Sequence, residues 1–149
     1  DMISVVSEMN VPVIMIHMQG TPENMQKNPQ YGDVVEDIKE WLEKRIKAAG
    51  KAGIKRSNII VDPGIGFGKN LKHNLELLGR LGEFKGMAGG VLLGASRKSF
   101  IAMMAGNEKG DRLTGSLSAA IMGVTGGVDI LRVHDVKETL SAVNAVNNL

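Results

Sequence analysis

Four apolar runs recur along this chain, and each is followed by a polar loop and then by a helical pattern. They occupy residues 12–18 (PVIMIHM), 58–62, 90–95 and 128–133. The runs are short and nearly unbroken, as expected of strands buried on both faces of a parallel sheet. Strands that alternate with helices predict parallel pairing through helical crossovers. This constrains the fold more than any other feature. The class is α/β, with four βα units. Four parallel strands alone leave two unpaired edges, whereas eight would close a barrel. The chain opens on Asp1 within a helix-like pattern (Met2, Val5, Val6, Met9). Residues 1–149 are therefore expected to be the C-terminal half of a (β/α)8 barrel, with the N-terminal half missing. A small open doubly wound sheet is the alternative.

The helices are legible from spacing and charge. Val34, Val35, Ile38, Trp41, Leu42, Ile46 and Ala49 follow helical periodicity within residues 31–52. Acidic residues crowd the start of that segment and basic ones its end, which complements the helix dipole. Asn70 is placed to cap a second helix with apolar residues Leu71, Leu75, Leu78 and Leu81. Ser96 is placed to cap a short helix through Ala105, and residues 107–112 form a charged loop. A small-residue helix covers 113–124. The last helix is expected to start from Asp135 and Glu138 in capping-box spacing and to bury Val136, Leu140, Val143 and Val146.

Composition excludes several classes. The chain has no Cys, so disulfides, thiolate metal sites and Cys nucleophiles are out. The net charge of +2 is too mild to imply nucleic acid. No apolar run reaches the roughly 18 residues of a membrane span, and no signal peptide is visible. A soluble, reducing, cytoplasmic setting is expected, with no nucleic acid and no membrane as partners.

Chemistry is concentrated where strands end. DPGIGFGK (62–69), SRKS (96–99) and RVHD (132–135) each lie just past a predicted strand, and topology brings such ends to one surface. DPGIGFGK fits neither the G-x-G-x-x-G fingerprint nor a Walker loop. It suits a tight loop whose backbone passes close to a ligand. Asp62 can accept two parallel N–H donors, or it can be an ordinary loop cap. Phe67 lines a ligand or packs. In SRKS, Lys98 and backbone N–H groups at a helix start suit a carboxylate or phosphate, and Arg97 is the more structural of the two cations. A capped helix with solvated charges is the other reading. Arg132 and His134 lie two apart near a strand end and project the same way, so with the helix start at Asp135 they read as a pyrophosphate pocket. His17 and His73 are read as hydrogen-bonded structural residues. The three histidines lack metal-binding spacing, and no Ser/His/Asp triad is evident.

IHMQGTPENMQ (16–26), DPGIGFGK, GASRKSF (94–100) and RVHDV together resemble dihydropteroate synthase over nearly the whole chain. The resemblance implies condensation of 6-hydroxymethyl-7,8-dihydropterin pyrophosphate with 4-aminobenzoate, giving 7,8-dihydropteroate and pyrophosphate, in an enzyme known as a sulfonamide target. It implies that Asp62 binds the pterin edge and that Gly66 belongs to the substrate-binding loop. Lys98 would contact the pterin and border the aminobenzoate pocket. Ser99 would receive the aminobenzoate carboxylate, and Phe67 would line that pocket. Arg132 would stack on the pterin and, with His134, hold the pyrophosphate. Lys98, Arg132 and His134 are thus the expected catalytic groups. Mg2+ is implied as an assisting ion, with its ligand in the N-terminal half rather than here. A homodimer through the last helices is implied for the full-length protein, and this piece alone is expected to be a fragment lacking full activity. Two other readings stay open: a pterin-dependent methyltransferase, and a pterin-binding module without catalysis.

Overall fold

The computed structural model describes residues 2–104, 106 and 111–148. Strands β1 (Val13–Ile16), β2 (Ile59–Asp62), β3 (Gly90–Leu93) and β4 (Ile130–Leu131) form one parallel sheet in that order. Helix α1 (Met2–Met9) precedes β1. Helices α2 (Val34–Lys51) and α3 (Leu71–Gly79) carry the first two crossovers, α4 (Ser99–Met104) and α5 (Leu113–Thr125) the third, and α6 (Val136–Asn147) follows β4. These are the four expected βα units. The predicted strands overrun the observed ones, but pairing continues past two of them: His17 N donates to Asp62 O at 3.0 Å and Arg132 N to Leu93 O at 2.9 Å.

The helices cover one face of the sheet. Ile59, Val61, Val91 and Leu93 point into a core with Val35, Ile38 and Leu42 of α2, Leu77 of α3 and Ala119 of α5. Each large aliphatic side chain so buried contributes roughly 1.5–3 kcal/mol. Asp33 caps α2, its carboxylate accepting from the N–H groups of Val35 and Glu36 at 2.9 and 3.0 Å. Register places Ile14, Ile16, Ile60, Leu92 and Ile130 on the opposite face. There Ile14, Ile16 and Ile130 are 47%, 37% and 41% exposed.

Three expectations need correction. The buried side of α3 is Asn74, Leu77 and Leu78, and Leu75 is exposed. Asn74 turns inward because it holds the preceding loop: its Oδ1 accepts from Gly66 N at 2.7 Å, and its Nδ2 donates to Asn70 O at 2.8 Å. Leu81 is buried, but in a separate 3₁₀ turn, Leu81–Phe84. Along α6 only Thr139 is buried, while Val136 and Leu140 lie exposed. That helix packs chiefly on α5, which leaves Val143 and Val146 half-buried and Val136 and Leu140 exposed. Ala105 and residues 107–110, from the expected short helix and charged loop, lie outside the described residues.

Candidate active site

The loop after β2 is built around close approaches. Gly64 has φ +71°, and a Cβ there would stand 1.8 Å from the carbonyl oxygen of His17. Gly66 has φ +81°, and a Cβ there would meet Lys98 Cδ at 2.6 Å. Gly64 thus needs glycine for conformation and for space, and Gly66 for conformation, with the Lys98 stem lying over it. The loop backbone packs closely against the neighbouring loops that carry His17 and Lys98. Asp62, 2% exposed, ends β2. Its Oδ1 accepts from Gly64 N at 2.8 Å, and its Oδ2 from Arg132 Nη2 at 3.0 Å.

From the loop after β3, Lys98 Nζ donates to Ile65 O and sits 3.9 Å from the centre of the Phe67 ring. Burial pushes Lys98 down to about 8, against the opposing pull of Asp62 and with a smaller push from Arg132. Arg97 has the structural role expected of it. It adopts φ +57°, its N–H donates to Ser116 Oγ at 2.9 Å, and its guanidinium forks onto Asp135. That pair holds the Asp135 carboxyl below its ordinary value.

Two expected caps are absent for this reason. The Asp135 side chain makes no cap bond to α6, because Arg97 takes it. Ser96 does not cap α4, which begins three residues later. Its Oγ accepts from His134 N at 3.2 Å and faces His134 Nδ1 at 3.1 Å. The loops after β3 and β4 are therefore tied by two side-chain links, Arg97–Asp135 and Ser96–His134.

Phe67, Gly94, Ser96, Lys98, Arg132 and His134 line a cleft of about 410 Å³. Five predicted residues meet here: Phe67, Lys98, Arg132 and His134 on the wall, and Asp62 through its bond to Arg132. Gly66 underlies the Lys98 stem. Ser99 opens α4 beside Lys98, is exposed, and does not line the cleft. With one buried carboxylate against two cations and a histidine, the cleft suits an anionic ligand that also carries a donor edge. Among the described residues, no three His, Asp or Glu side chains converge to hold a metal ion.

Sequence reasoning missed Lys69. It is 3% exposed, and its amine donates to Gly64 O and Phe67 O, both at 2.9 Å, and lies 3.1 Å from His17 Nδ1. A lone lysine closing a glycine-rich loop was the available signal. His17 is buried, with its ring edge-on to Trp41. Burial, then the charge of Lys69, pushes it down to about 3. His73 completes the α3 cap: Asn70 Oδ1 accepts from His73 N at 2.8 Å, and His73 Nδ1 faces Asn70 N.

The sequence model of the pterin binding enzymes matches residues 1–134. The chain belongs to this family. It is 43% identical over 140 residues to the dihydropteroate synthase of Escherichia coli (strain K12), covering 94% of this chain and 50% of that protein. Dihydropteroate synthase from Stenotrophomonas maltophilia, solved with imidazole in its active site, superposes with a TM-score of 0.93 at 36% identity, covering 98% of this chain and 56% of that one. The Thermus thermophilus synthase, solved with 4-aminobenzoate, gives 0.91 at 37%, covering 99% and 60%; it has also been solved with 6HMPPP. The chain spans about half the length of the curated relatives it matches. The expected α/β half-barrel architecture is thus that of the family. Among the described residues, no helix is long and apolar enough to cross a membrane.

Proposed function

We propose that this chain supplies the C-terminal half of a dihydropteroate synthase, as one partial pterin-binding barrel domain over residues 1–149. It would act on a dihydropterin pyrophosphate and 4-aminobenzoate. The observation that carries this reading is the convergence of Asp62, Phe67, Lys98, Arg132 and His134 from three strand ends at one cleft. The ligands of the Thermus relative, 4-aminobenzoate and 6HMPPP, support it.

In the proposed reaction the C–O bond between the pterin methylene and pyrophosphate breaks, and the bonding pair leaves with the pyrophosphate. The aromatic amine nitrogen then forms the new bond to the methylene carbon and releases a proton to water. No protein nucleophile is required. Arg132 and His134 neutralise the leaving group where charge develops, which is where preorganised donors contribute most. The Asp62 carboxylate receives the amino-pyrimidine edge. Each carboxylate oxygen has two lone-pair directions, so Oδ2 can serve Arg132 and a ligand donor together. Lys98 faces the pterin, and Phe67 flanks the aminobenzoate ring. Ser99 would reach the aminobenzoate carboxylate from the lip of the cleft. Mg2+ belongs to this reading as an assisting ion, and we assign it no ligand among these residues. A cytoplasmic setting is consistent with the Cys-free sequence. Pairing of two full-length copies would cover the exposed Val136 and Leu140 of α6.

The deciding experiment measures 7,8-dihydropteroate formation by this chain alone and by the chain joined to the N-terminal half of a relative. Product from the joined form supports the proposal. Pterin binding without product in that form would favour a binding module.

A further inference from the structure

The amine of Lys69 has three N–H donors when charged, and the structure supplies one acceptor for each: Gly64 O, Phe67 O and His17 Nδ1. A buried charge is tolerated only when so satisfied. The carbonyls of Gly64 and Phe67 bracket the turn closed by Phe67 N donating to Gly64 O at 3.0 Å. Within that turn stand the Ile65 carbonyl, which receives Lys98 Nζ, and the Phe67 side chain, whose ring lies against the same amine. The lysine that closes the loop is thus anchored beneath the residues that meet Lys98. Neighbouring loops complete the support: Gln26 Nε2 donates to Gly66 O at 2.8 Å and Tyr31 Oη to Gly68 O at 2.9 Å.

We propose that Lys69 is a positioning residue: its buried amine gathers Gly64 O, Phe67 O and His17 Nδ1, and thereby sets the Ile65 carbonyl and Phe67 ring against the Lys98 amine in the cleft. The positioning rests on geometry. Only its consequence for substrate rests on the synthase reading.

The 3.1 Å contact also links the protonation of the two side chains. His17 is neutral and receives a proton from the charged amine, so its own proton sits on Nε2. Burial, and then the charge of Lys98, push Lys69 down to about 7, with Asp62 opposing. Tyr31, 5.9 Å away as a ring, and His73 of α3 are the other titratable groups that face it. Once the amine is neutral, its lone pair can be satisfied by His17 only if the imidazole moves its proton to Nδ1. Loss of the Lys69 proton and the His17 tautomer change are one event.

The test is ¹⁵N NMR of the His17 ring and the Lys69 amine in the unmodified chain, from about pH 5 to about pH 9, a range spanning the ordinary imidazole titration. Lys69 and the His17 tautomer are expected to change together near pH 7. Protonation of His17 near its ordinary value of 6.5, or a ring that stays constant while Lys69 titrates, overturns the coupling and with it the anchored geometry. The second arm compares K69M with H17Q, which keeps a side-chain acceptor. Amide exchange at Phe67 should quicken about tenfold or more in K69M and stay within a few-fold in H17Q. In the joined, active form, K69M should raise KM for 4-aminobenzoate about tenfold with a smaller change in kcat. Unchanged exchange in a folded K69M overturns the proposal. If K69M does not fold, the titration of the unmodified chain decides. If the joined form makes no product, the synthase reading fails and the NMR and exchange results still decide this one.

Discussion

Arg132 reaches across 70 residues of sequence to hydrogen-bond Asp62, Nη2 to Oδ2 at 3.0 Å, and so links the ends of β2 and β4 across the mouth of the sheet. The carboxylate is 2% exposed while the guanidinium remains half in solvent. Such an arrangement gives a buried carboxylate a partner for each oxygen while leaving the guanidinium within reach of a ligand.

Replacing Asp62 by Asn turns a donor amide toward Arg132, or turns one toward Gly64 N. Either way a buried bond is lost and two donors face each other. The expected cost in stability is about 1–3 kcal/mol, the range for an unsatisfied buried polar group. In the joined, active form kcat/KM should fall roughly 100- to 1,000-fold, as when one preorganised electrostatic contact is removed. Urea denaturation and steady-state kinetics measure the two separately. A variant with wild-type kinetics would remove Asp62 from the site.

Lys98 gives a pH dependence with a definite sign. Its folded-state value, about 8, lies well below its ordinary 10.5. Below about 8 both folded and unfolded chains hold the proton, and the penalty of burying the charge is present in full. Between the two values the unfolded chain binds more protons, so stability rises with pH. Lys69 acts in the same direction from about 7 upward. The urea midpoint should therefore climb from neutral toward alkaline pH, less steeply in K98M. Affinity for an anionic pterin ligand should run the other way and fall as pH rises through about 8, with that inflection absent in K98M. Equal slopes for the two proteins would contradict the burial of Lys98.

The sequence made the alternation of strands and helices legible, and with it the parallel sheet and the shared surface of Asp62, Lys98 and Arg132. Position at a strand end is a local property, and periodicity records it. Partners chosen across the fold are not recorded. Asp135 has the sequence of a cap, yet Arg97 claims it. Ser96 stands before a helix, yet it bonds His134. Leu75 fits the helical stripe, but the loop needs Asn74 inside. On α6 the pattern shows which side is apolar, and it cannot show whether anything covers that side. For Lys69 the sequence offered its place at the end of a glycine-rich loop but not its three acceptors, which come together only when two loops stack.

Two glycines separate conformational need from packing. Gly66→Ala places a Cβ at φ +81° against the Lys98 stem and should cost at least about 1–2 kcal/mol, the penalty of the left-handed conformation. Lys98→Ala in the same chain should recover the steric part. Gly50→Ala, within α2 with nothing within 4 Å of the new Cβ, should instead gain roughly 0.5–1 kcal/mol. Thermal melts of the four proteins test both signs. A neutral Gly66→Ala would show that residue 66 does not hold the left-handed conformation, and no recovery on adding Lys98→Ala would show that the Lys98 stem does not lie over the loop.

The uncovered face of the sheet sets the solution behaviour of the isolated chain. Ile14, Ile16 and Ile130 share that face by register, and β1 and β4 have only one strand neighbour each among the described residues. Exposed apolar surface beside open strand edges favours association. Sedimentation velocity on the 149-residue chain should show concentration-dependent self-association. Ile14→Thr combined with Ile16→Thr should weaken it, because Thr keeps β propensity while removing apolar area. Substituting Leu75, exposed on the helical side, should not. Adding the N-terminal half of a relative should replace the self-associated species with a defined complex. A monomer at every concentration with a sharp two-state melt would mean that the sheet face and edges are satisfied without a partner, and the half-barrel reading would then fail.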